Sequence, residues 1–255
     1  MPTNNYDTVA VKRAREFANK ENLCHAYVEK PAMYSLLPDL QGKKVLCIGC
    51  GTGEECIELL SRGASVWGID SSKASITYAR EHAPQAHFEV ADMDTDLGSV
   101  GAKGPFDLVY ASLAVHYSDN ITKLFNQIHR MLVPHGQFLF SVCHPVKWSA
   151  ESHRDPHDHN KKSFIMGYER DGENARVYGN YLEEQRLSQT FPDGLKVDYW
   201  MRTPSSYFKL LTTNGFKVLE FAEPSPLPAV KAIDPTFWEI NHKLPQWIIF
   251  LATAD

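Results

Sequence analysis

Apolar positions along the chain follow two periods, and the switches between them mark its elements. Runs of β-prone residues stand at 45–48 (Val-Leu-Cys-Ile), 65–69, 86–90, 106–110 and 137–142. Between them, apolar residues three and four apart predict helices over 54–60, 72–82 and 120–132. A further helix is expected at 203–215, with Thr203 as N-cap, Pro204 in the first turn and Gly215 as the stop. Strands at 216–221 and 246–252 follow it. Ahead of the first strand, residues 7–20 and 24–37 read as two helical segments, the second interrupted by Pro31. Strands alternating with helices predict a parallel sheet with helices on both faces. Pro134-His135-Gly136 reads as a turn before the fifth strand, and 223–228, with three prolines, as a stiff linker.

Composition narrows the class. The chain has 255 residues, a net charge of −5, 43% hydrophobic and 22% charged residues. That is enough for one elaborated α/β domain. No apolar run approaches the roughly 18 residues of a membrane span, and the opening residues show no basic segment leading into an apolar one, so a cytoplasmic protein with no membrane contact is expected. The acidic balance argues against a general nucleic-acid binder. Of five cysteines, an odd number, three (Cys47, Cys50 and Cys56) fall in the first strand and the turn and helix after it, and they read as small buried residues rather than a redox or metal site. No metal is expected, and the oligomeric state is open.

Residues 45–53, VLCIGCGTG, organise the rest. A buried strand meets Gly49, Gly51 and Gly53 just before a helix, which lets the backbone bend sharply and bring its N–H groups to a ligand that a Cβ would block. A dinucleotide fingerprint would put its third glycine at position 54, where this chain has Glu54, so an NAD-type oxidoreductase is disfavoured. An acid, Asp70, ends the second strand about 20 residues past the first glycine, placed to accept from ribose hydroxyls, with Ser71 or Ser72 left to cap the next helix.

The VLCIGCGTG stretch resembles the first motif of the class I S-adenosylmethionine-dependent methyltransferases. The resemblance runs from about Lys43 to Val142 and resumes at Thr203. It implies a doubly wound, Rossmann-like sheet of seven mostly parallel strands, the last antiparallel. It implies S-adenosyl-L-methionine as cofactor, S-adenosyl-L-homocysteine as product, and a cofactor site formed by Gly49, Cys50, Gly51, Gly53, Asp70, Ser71, Asp92, Met93 and Ala111. In this family Asp92 would reach the adenine amino group and Met93 would pack on the ring. Cys47 stands where a carboxylate is frequent. The loop after strand four lacks the signature of enzymes that methylate base or glutamine nitrogens, which turns the expectation toward a small-molecule acceptor.

Two histidines, His116 and His144, follow the ends of strands four and five, and either could act as general base for an acceptor that arrives protonated. Satisfied buried histidines would fit the same positions. Within the domain, residues 1–40 form an N-terminal helical cap, 43–143 the cofactor-binding core, 145–202 an insert after strand five, and 203–255 the rest of the sheet. By resemblance the N-terminal helices close over the site, so Tyr6, Tyr27 and Tyr34 are candidate substrate residues, as is Tyr199 from the insert. Residues 181–191 and 195–202 read as an antiparallel hairpin, with Leu195, Val197, Tyr199 and Met201 on one face and a turn at Pro192-Asp193-Gly194. The insert is rich in aromatics, among them Tyr168, Tyr181 and Trp200, and is suited to roofing the site. His153, His157 and His159 lack helical ligand spacing and read as a solvated loop. A methyltransferase-like chain that binds cofactor or a partner without catalysis is the other reading.

Overall fold

The computed structural model describes residues 5–95, 97–146, 167–178, 180–191 and 194–255. A short 3-10 turn (Asn5–Thr8) leads into α1 (Ala10–Ala18). A π-helical turn (His25–Glu29) then runs directly into α2 (Lys30–Ser35). Pro31 therefore does not break this segment. It sits in the first turn of α2, where its missing N–H costs no hydrogen bond, and Lys30 N–H reaches back five residues to His25 O.

The core alternates as the periodicity predicts: β1 (Lys44–Ile48), α3 (Glu54–Ser61), β2 (Ser65–Asp70), α4 (Lys73–His82), β3 (His87–Val90), the short α5 (Gly98–Gly101), β4 (Phe106–Ala111), a 3-10 turn (Val115–Tyr117), α6 (Ile121–Met131) and β5 (Leu132–Cys143). Two hairpins follow, β6 (Gly167–Asp171) with β7 (Asn174–Tyr178) and β8 (Gln185–Thr190) with β9 (Lys196–Met201). Then come α7 (Pro204–Thr213), β10 (Phe216–Ala222), α8 (Val230–Ile233), α9 (Pro235–Asn241) and β11 (Trp247–Ala254).

Seven strands form one sheet in the order β10-β11-β5-β4-β1-β2-β3. The pairs within β1 to β5 are parallel, and β11 runs antiparallel to both β5 and β10. Side chains alternate between two buried layers. Leu46, Ile48, Val109, Phe138 and Phe140 face one, and Val45, Cys47, Leu108, Tyr110 and Leu139 face the other. The strand order reverses between β1 and β4, and in open sheets ligands bind beyond the carboxyl ends at such a point.

One local expectation is corrected, and two stretches hold elements that the sequence reading left unassigned. The Pro134-His135-Gly136 turn lies inside β5, where His135 takes φ +62 and the pairing with β4 slips between Phe106 and Leu108. Such an irregularity lets one long strand absorb a turn-like sequence. The stretch before the last strand holds two helices, and Asp234 caps the second by accepting from Phe237 N–H at 2.8 Å. Residues 167–178 form a hairpin of their own, and few apolar positions announce it. His153, His157, His159 and the Pro192-Asp193 part of the predicted turn lie outside the described residues.

Candidate functional site

The glycine turn follows β1 at the reversal point. Gly49, Gly51 and Gly53 all take positive φ, at +67, +53 and +91. Gly49 is fixed by packing, because a Cβ there would lie 2.4 Å from the Ala114 Cβ. Gly51 is different: a Cβ would meet nothing within 4 Å, so this backbone borders open space. Cys50 is buried, its N–H donating to Ile69 O. Burial pushes its thiol up to about 12, and Cys47 and Cys56 are buried beside it, which leaves these thiols unreactive. Among the described residues no three His, Cys, Asp or Glu side chains are grouped to hold a metal.

Asp70 ends β2 and binds both neighbouring turns. One carboxylate oxygen accepts from Gly51 N–H at 2.9 Å and the other from Ser72 N–H at 2.8 Å. Burial raises its carboxyl, and those two N–H groups oppose the rise. The Ser71 N–H also acts on this carboxylate, whose two oxygens together keep acceptor capacity for a ligand hydroxyl. Ser72 is the N-cap of α4, accepting from Ser75 N–H, while Ser71 is exposed beside it.

The N-terminal segment crosses this edge. Asp7 accepts from Ser72 Oγ at 2.7 Å and from Ala74 N–H at 3.0 Å, which pins the segment to the start of α4. Its neighbour Tyr6 donates to Tyr117 Oη at 2.8 Å, on the loop after β4. The segment thus bridges from the β2 side of the sheet to the β4 side. The inner face of the β8–β9 hairpin, Leu195, Val197, Tyr199 and Met201, forms a small core with Val9, and Tyr6, Tyr117, Cys143 and Phe191 pack against it. The Arg13 guanidinium stands 4.7 Å from the Phe191 ring centroid and 5.6 Å from that of Tyr6. Trp200 Nε1 donates to Asp119 at 2.8 Å, tying the hairpin to the loop before α6.

Beyond β3, Asp92 is exposed and accepts from Asp94 N–H, while Met93 is half-buried against the core. Ala111 is fully buried at the end of β4. His116 is buried under Tyr117 and Tyr199, the latter edge-on at 5.7 Å between ring centroids. Burial, helped by Arg202, pushes His116 down to about 3, and its Nδ1 has no hydrogen-bond partner among the described residues. The imidazole is neutral across the physiological range. His144 is engaged on both nitrogens: Nδ1 accepts from Val146 N–H at 3.0 Å, and Nε2 meets Glu223 at 2.6 Å. Burial lowers its imidazole, against the pull of Glu223.

The tyrosines divide. Tyr6 and Tyr199 meet around Tyr117. Tyr34 lies along α3 with the Arg62 guanidinium 5.5 Å over its ring, and Tyr27 contributes a backbone oxygen to Leu227 N–H. Two residues of the arrangement escape sequence reading: Tyr117, within an apolar loop, and Glu29, an acid in a helical run whose burial no local pattern signals.

A family profile described as a methyltransferase domain matches residues 45–136. The chain is 33% identical over 120 residues to trans-aconitate 2-methyltransferase of Delftia acidovorans, covering 46% of this chain and 44% of that one. It thus spans about half the length of the curated relatives it matches. Among solved structures, an S-adenosylmethionine-dependent methyltransferase from Mesorhizobium loti superposes with TM-score 0.68 at 28% identity, covering 88% of this chain and 97% of the other. A Listeria monocytogenes protein assigned to the same class gives TM-score 0.72 at 27% identity, covering 89% and 96%. With the seven-stranded sheet and the glycine turn at its reversal point, these likenesses identify a methyltransferase domain over residues 45–136 within the fold of the class I S-adenosylmethionine-dependent methyltransferases, with S-adenosylmethionine as its cofactor.

Proposed function

We propose that the chain transfers a methyl group from S-adenosylmethionine to a small-molecule acceptor by in-line displacement. The observation that carries this reading is the bridge made by Asp7 and Tyr6, which spans the ligand edge of the sheet from the start of α4 to Tyr117. A segment tied down across this edge on both sides narrows the approach to it, which suits a small acceptor better than a macromolecular one.

The backbone of Gly49, Cys50 and Gly51, held in place by the bonds of Cys50 N–H to Ile69 and of Gly51 N–H to Asp70, borders the amino acid end of the cofactor, Asp70 and Ser71 its ribose, Asp92 and Met93 its base, and Ala111 its reactive centre. The open space at Gly51 and the remaining acceptor capacity of Asp70 fit such a ligand. When bound, the cofactor supplies an electrophilic methyl group. The chain's own work is alignment, since holding two reactants in line removes most of the entropic barrier.

Tyr6, Tyr117 and Cys143, half-buried beneath the β8–β9 hairpin, line the acceptor side. His144 holds Glu223 and the linker that carries it, whereas His116 serves as a neutral wall of the pocket. This geometry favours an acceptor whose attacking atom arrives already deprotonated, such as a carboxylate. The Delftia relative, named for trans-aconitate, is consistent with that class.

The test has two arms. Thermal unfolding with S-adenosylhomocysteine, S-adenosylmethionine and NAD is expected to show stabilisation by the two adenosyl compounds alone. Methyl-labelled cofactor is then offered with the small-molecule and macromolecular fractions of a cell extract. Label entering the small-molecule fraction is expected; label confined to protein or nucleic acid would overturn the acceptor class. No helix of the described residues is long and apolar enough to cross a membrane. A cytoplasmic setting is part of the proposal and rests on the sequence reading alone.

A further inference from the structure

Glu29 closes the π-helical turn and is fully buried, yet its side chain reaches the ends of two sheet strands. Its Oε1 accepts from Ser112 Oγ at 2.8 Å and from Ser141 Oγ at 2.6 Å. These serines lie one step beyond the paired Ala111 and Phe140 of β4 and β5. The Ser141 oxygen in turn accepts Leu113 N–H at 2.9 Å. Leu113 takes φ +48, a left-handed conformation that a branched side chain adopts only when its surroundings hold it there. The adjoining Ala114 is the residue against which Gly49 packs. One carboxyl from the N-terminal helices therefore fixes the backbone beside the glycine turn.

We propose that Glu29 is a positioning residue for methyl transfer, which couples docking of the N-terminal helices to the shape of the cleft wall at residues 112–114. The inference rests on the methyltransferase reading. The second oxygen, Oε2, is buried without a hydrogen bond among the described residues, 3.7 Å from His25 Nδ1. The other groups facing the carboxyl are Lys30 and Tyr34 from its own helical run, Glu55 from α3 and Tyr110 from β4. Lys30 is engaged by Glu55 at 3.1 Å. Burial pushes the Glu29 carboxyl up to about 7; the Ser141 and Ser112 hydroxyls oppose this, and Glu55 adds to it. Near neutrality the group thus loses its proton in a buried place, and the cost of keeping that charge out of water weakens docking of the helices even though both serine hydroxyls donate more strongly to the ionised form.

The test is calorimetric titration of the full chain with S-adenosylhomocysteine from about pH 6 to about pH 8.5, for wild type, Glu29→Gln and Ser141→Ala. Wild-type affinity is expected to fall severalfold as pH rises. Glu29→Gln keeps a neutral oxygen for both serines, so it is expected to bind within about threefold of wild type at the acid end and to lose the decline. Ser141→Ala removes the contact to Leu113 and is expected to bind about tenfold more weakly at the acid end, while keeping the decline. Wild-type behaviour in Ser141→Ala, or an unchanged decline in Glu29→Gln, would overturn the proposal. A flat wild-type profile would also do so, since it means that the charge is neutralised in place. Wild type that does not bind S-adenosylhomocysteine at any pH would strike the methyltransferase reading itself, and the inference with it.

Discussion

Tyr6 and Tyr117, 111 positions apart, share a hydrogen bond of 2.8 Å that joins the N-terminal segment to the loop after β4. Their rings meet edge-on at 6.1 Å between centroids, so a hydrogen bond and an aromatic contact act on the same joint. Tyr6→Phe separates the two, because it keeps the ring and removes the donor. The expected loss is about 1 kcal/mol of stability, the usual worth of such a bond. Because the joint bridges the ligand edge, S-adenosylhomocysteine is expected to leave about threefold faster, as a loosened cap raises dissociation more than it slows association. Stopped-flow displacement measures the rate, and a rate equal to wild type would mean that the bridge does not gate the site.

The glycine turn predicts opposite outcomes at two positions two residues apart. Gly49→Ala drives a Cβ to 2.4 Å from Ala114 at φ +67, which is expected to cost upwards of about 2 kcal/mol and to lower the melting temperature sharply. Gly51→Ala meets no protein atom and suffers only the left-handed backbone, at about 1 kcal/mol. Its Cβ instead enters the space assigned to the cofactor. The expected result is a nearly native melting temperature with S-adenosylhomocysteine affinity reduced at least about tenfold, since a lost close approach commonly exceeds 1.4 kcal/mol. Equal affinity in Gly51→Ala and wild type would place the cofactor elsewhere.

Asp70 accepts from Gly51 and Ser72 with different oxygens. Asp70→Asn supplies one oxygen and one NH2, so one backbone N–H must face another donor. A buried donor left in this way costs about 1–3 kcal/mol. Asp70→Asn is therefore expected to lose stability and cofactor affinity together, whereas Ser71→Ala, exposed and outside this pair of bonds, is expected to lose affinity alone. Unfolding curves read beside calorimetry distinguish these patterns.

The parallel sheet was legible because its strands are continuous apolar runs and its helices keep a period near 3.6, both local signals. Asp70 was legible for a related reason: a strand end and a glycine turn fix its position along the chain. The N-terminal bridge was only partly so. Tyr6 could be suspected, but its partner Tyr117 and the Asp7 contact with α4 depend on elements far apart in sequence. Glu29 was hidden because nothing local distinguishes an acid on a solvated helical face from one that meets two serines more than 80 and 110 positions away. The histidines show the converse. Their positions after β4 and β5 were foreseen, yet their chemistry follows from burial, from Arg202 and from Glu223, which only the folded chain assembles.

Glu29 and His116 impose opposite slopes on stability against pH, and the comparison tests both environments at once. Stability rises with pH wherever the unfolded chain binds more protons than the native one. The Glu29 carboxyl, raised from its ordinary 4.5 to about 7, holds a proton in the fold that the unfolded chain has lost, so it lowers stability as pH rises between those values. His116, lowered from 6.5 to about 3, lacks in the fold a proton that the unfolded chain carries, so it raises stability as pH rises across its own window. Each slope is about 1.4 kcal/mol per pH unit where it is fully developed, and the two windows overlap between roughly 4.5 and 6.5, where they cancel. Glu29→Gln removes the falling slope, so its stability relative to wild type should climb from about pH 4.5 to about pH 7 and then level off. His116→Asn removes the rising slope, so its relative stability should decline from about pH 3 to about pH 6.5. Urea unfolding of the three proteins at half-unit pH intervals measures both differences. Parallel curves for Glu29→Gln and wild type would mean that the buried carboxyl keeps its charge in the fold.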